Sequence, residues 1–270
     1  MKRMSKEELR ATQIGILDFF ANLCEENDIN YFLTYGTLLG AIRHKGFIPW
    51  DDDIDVAMLR EDYEKLILLY RTIKDCRYRF SCVENDRSCM YPFGKIIDEE
   101  TVLYEAGKEG IKIGVYIDVF VYDNAPIDKV KRNKGFDKLD FYAHLRQYQL
   151  PMKKVALSPK RLCVLIFKWL IKVFLPRQFF TRKIVYSAKK YRKEDSNLVC
   201  DFTEPFYNKR WIVDKSLFTD LIFVEFENKF YKAPRDYDKW LRIQYGDYMK
   251  IPSVEEQKAK QHNIQAYFKD

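Results

Sequence analysis

Four aspartates fall within five residues and lead straight into an apolar run, and this restricts the 270-residue chain more than any other feature. The stretch is Trp50-Asp51-Asp52-Asp53-Ile54-Asp55-Val56, continuing into Ala57, Met58 and Leu59. A strand over 53–58 turns Asp53 and Asp55 to one face and Ile54 and Val56 to the other. Adjacent carboxylates repel, and a hard divalent cation with a preference for oxygen ligands removes that cost. A solvated acidic turn after Pro49 is the plain alternative. The entry into apolar sequence favours a metal site, with Asp53 and Asp55 as the paired ligands.

The residues upstream add a second element. Positions 31–35 (YFLTY) read as a strand, Gly36-Thr37 as a turn and 38–43 as a short helix. A glycine turn feeding a helix N-terminus offers free backbone N–H groups and a positive dipole end, which suits phosphate oxygens. An ordinary strand–turn–helix corner has the same signature. A third carboxylate stands in the apolar strand 115–121 (VYIDVFV), where Asp118 is either a satisfied strand residue or the third metal ligand. A buried carboxylate without a partner is costly, and with two other acids to hand the ligand reading is preferred.

Together the segment YFLTYGTLLGAIRHKGFIPWDDDIDVAM, YPFGKI at 91–96, YIDVF at 116–120 and YGDYMKIP at 245–252 resemble the LicD family. These are phosphocholine and related polyol-phosphate transferases on a nucleotidyltransferase fold, with fukutin-related proteins as distant members. The resemblance runs from the first helix to about residue 255 and is weak over 126–200. It implies a CDP-activated donor, CDP-choline or a CDP-polyol, with Mg²⁺ or Mn²⁺ as cofactor. A substituted phosphate passes to a sugar hydroxyl and CMP leaves. Gly36 and Thr37 match the glycine motif of the superfamily, Asp53 and Asp55 its paired metal ligands, and Asp118 its third carboxylate. Thr37 stands where the wider superfamily usually carries Ser or Gly, and the hydroxyl is kept. The implied acceptor is a glycan or lipid-linked oligosaccharide, such as a teichoic acid precursor.

Composition agrees with an enzyme that has ample length for a buried core. The start MKRMSKEELR leads into a charged amphipathic helix rather than an apolar leader, and no apolar run reaches the length of a membrane span. The expected location is therefore cytoplasmic, peripheral at the inner face of the cell membrane. Cys24, Cys76, Cys82, Cys89, Cys163 and Cys200 show no zinc spacing and read as reduced thiols.

The net charge of +7 is unevenly spread. Thirteen of the 47 Lys and Arg, and none of the 40 acidic residues, lie within 151–193, so the remainder is net acidic. Inside that segment runs 162–175, LCVLIFKWLIKVFL. On a helix Lys168 and Lys172 share a face, extended by Lys160 and Arg161, while Leu and Phe cover most of the rest. This is either an interfacial helix on an anionic membrane surface, with Trp169 at the headgroup boundary, or a core helix with solvated lysines. No nucleic-acid module accompanies the basic residues, so nucleic acid is not an expected partner.

The expected fold is α/β: a nucleotidyltransferase-like mixed-sheet core with an appended basic helical subdomain. Residues 1–125 form the catalytic core, 126–197 the basic helical subdomain and 198–270 a segment completing the core. Helices are expected over 6–26, 60–73 and 129–150, and strands over 78–83 and 90–97. A hairpin turns at Glu227-Asn228, and Pro234 opens a helix that stops near Gly246. Arg43, with His44 and Lys45, follows the phosphate-binding helix and is a donor-phosphate ligand or part of an exposed basic turn. Lys95 is expected on a strand beside the metal strand, where a lysine can neutralise a phosphate. His44 is a candidate general base. Trp50, Tyr91, Tyr104 and Tyr116 are candidates for an aromatic box around a quaternary ammonium, or they are core. Asp236, Trp240 and Tyr245 belong to a C-terminal helix that closes the fold. The transferred group is expected to be phosphocholine. Ribitol or glycerol phosphate, a nucleotidyl group and a non-catalytic membrane scaffold are the alternatives.

Overall fold

The structure is a computed structural model and describes residues 1–105, 113–149, 159–203, 211–259 and 264–269. Residues 151–158 of the basic segment, and the side chains of Lys160, Arg161 and Cys163, lie outside them.

The chain opens with α1 (Lys6–Glu26), started by a capping box in which Ser5 and Glu8 satisfy each other's backbone N–H groups. Its apolar stripe of Leu9, Ile16, Leu17, Phe20 and Cys24 is buried. Then follow β1 (Phe32–Leu33), α2 (Tyr35–His44), β2 (Asp55–Leu59) and α3 (Arg60–Tyr70). Strands β3 (Tyr78–Ser81), β4 (Gly94–Asp98), β5 (Thr101–Glu105) and β6 (Tyr116–Asn124) come next. They lead into helices α4 (Lys129–Gln147), α5 (Pro159–Phe174) and α6 (Phe179–Lys189). The chain returns through β7 (Leu198–Asp201), β8 (Val213–Asp214), the hairpin β9 (Leu221–Phe226) and β10 (Lys229–Pro234), helix α7 (Tyr237–Tyr245) and strand β11 (Ile264–Phe268).

The central sheet runs β1-β2-β6-β4-β3, and β7 pairs with both β6 and β8. Among the described residues of this sheet β2 and β6 pair parallel and the other pairs are antiparallel. Strands β2, β4 and β6 are buried almost throughout, and β2 and β6 carry the mostly apolar sequence that such strands need. This mixed α/β architecture is the nucleotidyltransferase-like fold expected from the sequence. Phe136 and Leu139 of α4 and Ile184 of α6 build a second apolar cluster with Tyr191, Cys200 and Phe202.

Several boundaries differ from expectation for local reasons. Strand β1 keeps only Phe32 and Leu33, because Tyr35 adopts φ 46° and already begins α2. Gly36 and Thr37 are therefore inside the first helical turn rather than before it. Strand β4 starts at Gly94, not 90, because 82–91 is a turn-rich loop. Pro234 ends β10 and α7 starts at Tyr237. The hairpin turn is as expected: Glu227 and Asn228 have φ of 51° and 60°, the left-handed pair of a tight two-residue turn. Gly246 stops α7 at φ 67°, with its N–H donating to the Arg242 carbonyl.

Candidate active site

Strand register assembles the site. Asp55 on β2 pairs with Asp118 on β6, and Asp118 pairs with Lys95 on β4. Cross-strand partners project to the same face at spacings of about 4.8 Å. Residues distant in sequence therefore form the row Asp55, Asp118, Lys95 on three adjacent strands. Asp53 lies two residues before Asp55, in the segment leading into β2. Main-chain bonds lock the register: Asp118 N–H donates to the Ile54 carbonyl at 2.9 Å and Thr34 N–H to the Asp55 carbonyl at 3.2 Å.

The first turn of α2 packs directly on the acidic run. Thr37 is buried, and its hydroxyl oxygen accepts the Asp55 backbone N–H at 2.7 Å. The hydroxyl expected to meet phosphate thus also positions the start of β2. Gly36 faces Asp51 so closely that a Cβ would sit 2.5 Å from Asp51 Oδ2. The Asp51 carboxylate therefore lies against the first turn of α2, beside the backbone where a phosphate was expected. Asp51 is a site residue that sequence reasoning left unassigned, although it belongs to the acidic run.

Burial pushes the Asp55 carboxyl well above the usual range, and Asp53, Asp118 and Asp51 push it further; Lys95 offsets only part of this. Burial also raises Asp51, against a hydrogen bond with Asp53 that lowers it. Tyr245 is raised by burial and then by Asp55, Asp51 and Asp53, so the end of α7 faces the cluster. Tyr245 was expected only to close the fold; its one sequence signal was its place in YGDYMKIP.

Lys95 is 2 % exposed, and its ammonium contacts the Asp118 carboxylate. The same ammonium lies 3.4 Å from the Tyr116 ring centroid, 4.3 Å from Tyr91 and 5.3 Å from Phe93. Tyr91 and Tyr116 thus do form an aromatic box, but its cation is the protein's own. The other two expected members lie elsewhere: Tyr104 packs against Tyr267, and Trp50 is beside Arg43 and His44.

Beside the acidic run a cavity of about 230 Å³ is walled by Gly36, Arg43, Trp50, Asp51, Tyr245 and Tyr248, among others. Arg43 donates to the Tyr248 carbonyl at 2.8 Å and to His44 Nε2 at 2.9 Å. Burial and the neighbouring Arg43 lower the His44 pKa. His44 is therefore tied to Arg43 rather than to the acidic row. Lys45 takes the left-handed C-cap of α2 at φ 58°, and its carbonyl accepts the Glu227 N–H. Asp236 N-caps α7 without a side-chain bond, and Trp240 is fully buried.

Among the described residues no three acidic, His or Cys side chains form a metal-ligand group by themselves. The donor set still fits a hard divalent cation: it is all oxygen, its burial makes its charge costly, and Mg²⁺ takes only one or two carboxylates beside substrate phosphates and water. Cys24, Cys76, Cys82, Cys89 and Cys200 are free thiols.

The family profile described as LicD/FKTN/FKRP, nucleotidyltransferase domain, matches residues 28–164, which hold the whole acidic row. The lipopolysaccharide cholinephosphotransferase LicD of Haemophilus influenzae is 32 % identical over 98 % of this chain and 98 % of its own. Two shorter likenesses are to uncharacterised rickettsial proteins. The Rickettsia typhi protein is 42 % identical over 21 % of this chain and 18 % of its own. The Rickettsia prowazekii protein is 52 % identical over 15 % of each. The chain belongs to the LicD family of phosphotransferases.

Proposed function

We propose that this protein transfers phosphocholine from CDP-choline to a sugar hydroxyl of a cell-surface glycan precursor, releasing CMP with the help of Mg²⁺ or Mn²⁺. The observation that carries the reading is end-to-end likeness to a cholinephosphotransferase, combined with the row Asp55, Asp118, Lys95. Asp53, Asp55 and Asp118 are the residues that would hold the cation. When bound, the cation neutralises phosphate charge and eases ionisation of the acceptor hydroxyl.

The acceptor oxygen forms a bond to the phosphorus distal to cytidine, and the bond from that phosphorus to the CMP oxygen breaks. Asp118 takes the hydroxyl proton and passes it to water. Lys95 and the first turn of α2, at Gly36 and Thr37, steady the phosphates, with Arg43 beside them. The protein's task is positioning and charge neutralisation rather than covalent chemistry. Trp50, Tyr245 and Tyr248, with Asp51 and Asp247, offer aromatic faces and carboxylates to a quaternary ammonium beside the acidic run.

Helix α5 supports a membrane-borne acceptor. Its Trp169, Val173 and Phe174 are 60 %, 55 % and 73 % exposed, while Lys168 is buried. The Lys168 ammonium has no hydrogen-bond partner among the described residues, and burial lowers its pKa. The lysine expected on a solvated face is turned inward and the apolar residues outward. That arrangement suits a helix lying in an anionic bilayer surface. Among the described residues no helix is long and apolar enough to cross a membrane. Incubation with CDP-choline, CDP-ribitol or CDP-glycerol and a glycan extract, following CMP release, tests the reading; choline-specific, EDTA-sensitive release is expected.

A further inference from the structure

The row of cross-strand partners continues past Lys95. Ser81 on β3 pairs with Lys95 on β4, so Asp55, Asp118, Lys95 and Ser81 stand on four adjacent strands. Beyond Asp118 the row enters a second cavity of about 240 Å³, walled by Arg79, Ser81, Ser88, Tyr91, Lys95 and Arg177, among others. In strand order Asp118 lies between this cavity and Asp55, whose neighbours Gly36 and Asp51 line the first. Transfer from one bound molecule to another requires two subsites that meet at the reacting phosphorus. The second cavity is placed to be one of them.

Its chemistry selects the occupant. Asp86 is committed to the wall: it accepts hydrogen bonds from Ser81 Oγ at 2.5 Å, Ser88 Oγ at 2.6 Å and Arg79 at 2.6 Å. Burial opposes its ionisation, but these bonds outweigh burial and bring its carboxyl to about 2. Arg79 is held by Asp86 and Glu99, and Lys95 by Asp118. Arg177 is exposed and makes no ion pair among the described residues. The cavity therefore presents the serine hydroxyl oxygens, Tyr91 and a guanidinium with no ion pair among the described residues. With Asp86 committed to Ser81, Ser88 and Arg79, the guanidinium of Arg177 disfavours a choline headgroup.

The basic helical segment builds this wall. Gln178 Nε2 donates to the Asp86 and Cys89 carbonyls at 2.6 and 2.7 Å, and Arg146 donates to the Met90 carbonyl at 3.0 Å. The loop 82–91 is thereby pinned by residues beside α6 and on α4. Arg177 itself follows α5 after Leu175 and Pro176, close to the apolar surface of that helix.

We propose that this cavity is the acceptor subsite and that it takes a sugar unit carrying a phosphate or a carboxylate. A guanidinium matches either group with two parallel hydrogen bonds. Ser81 lies two strand spacings from Asp118, about 10 Å, so a monosaccharide seated beyond Lys95 presents one hydroxyl to Asp118. The direction of transfer rests on the phosphotransferase reading; the ligand chemistry does not.

Calorimetric titration of the whole protein with glucose 6-phosphate, glucuronate and glucose tests the assignment. At least one anionic sugar is expected to bind about tenfold or more tightly than glucose. Arg177→Glu should remove that preference, and Arg177→Lys should keep part of it. Preference for glucose 6-phosphate assigns a phosphate-bearing unit, and preference for glucuronate a carboxylate-bearing one. Equal affinity for all three, no binding of either anionic sugar, or unchanged binding in Arg177→Glu overturns the proposal. Displacement of the sugar by choline chloride overturns it as well. Titration with CDP-choline and Mg²⁺ reports separately on the phosphotransferase reading, whose failure would leave the sugar result standing.

Discussion

Asp55 is held in a buried position against the charges of Asp53, Asp118 and Asp51. A carboxyl raised in the folded state binds its proton more firmly there than in the unfolded chain, so folding is disfavoured as pH rises through the ordinary carboxylate range. Asp53→Asn, Asp55→Asn and Asp118→Asn should each abolish transfer, since losing a ligand to the charge-stabilising cation costs several kcal/mol of transition-state stabilisation. Asp55→Asn should at the same time raise the melting temperature of the metal-free protein at pH 7 and above. Activity assays and thermal unfolding on the same samples check both halves, and an active Asp53→Asn protein would sink the ligand assignment. Asp201 gives a second pH signature. It is fully buried, burial pushes it to about 6, and hydrogen bonds from Thr203 and Tyr35 offset only part of that. Its ionisation should therefore weaken folding between about pH 4 and pH 6 by about 3 kcal/mol, since each pH unit across that window costs about 1.36 kcal/mol, with no further loss above it. Denaturant midpoints of wild type and Asp201→Asn should diverge across that window in favour of the variant; a pH-independent difference would contradict the assignment.

Helix α2 and helix α5 show how differently elements disclose themselves. The α2 turn was legible because Gly36 and Thr37 precede an apolar helix and an acidic run. What could not be read was that Tyr35 already starts the helix and that Asp51 folds back onto Gly36, since both depend on tertiary approach. Gly36→Ala should gain roughly 1 kcal/mol of helix propensity and lose it again in displacing Asp51. The expected result is an unchanged melting temperature with a raised KM for the nucleotide donor; an unchanged KM would show that Asp51 need not sit there. For α5 the sequence left membrane surface and core equally open, because helical periodicity does not say which face turns inward. The fold buries Lys168 and exposes Trp169 and Phe174. Co-sedimentation with anionic liposomes should fall steeply with salt, as each basic residue near such a surface contributes about 1 kcal/mol, and should fall further in Trp169→Glu. Indifference to anionic liposomes at low salt would mean that another surface covers the helix.

At the scale of the whole molecule, the two carboxylate motifs were visible because each interrupts an apolar strand. Lys95 was expected beside the metal strand, but its place in one row with Asp55 and Asp118 was not legible, because that rests on the strand order β2-β6-β4 and its register, which no local pattern encodes. The aromatic box shows the same limit: Tyr91 and Tyr116 converge from separate segments of the sequence, but on Lys95 rather than on a ligand. Choline offers no hydrogen-bond donor, whereas a site built for a polyol would leave its polar groups unpaired when choline binds. CDP-choline with Mg²⁺ should therefore bind more tightly than CDP-ribitol or CDP-glycerol, and calorimetry giving the reverse order would replace the headgroup while leaving the metal-dependent chemistry in place. The most direct test of that chemistry is CMP release from CDP-choline by the purified protein with a glycan acceptor, with and without excess EDTA. The account predicts release that stops with EDTA and returns with added Mg²⁺; release at an undiminished rate in EDTA would contradict it.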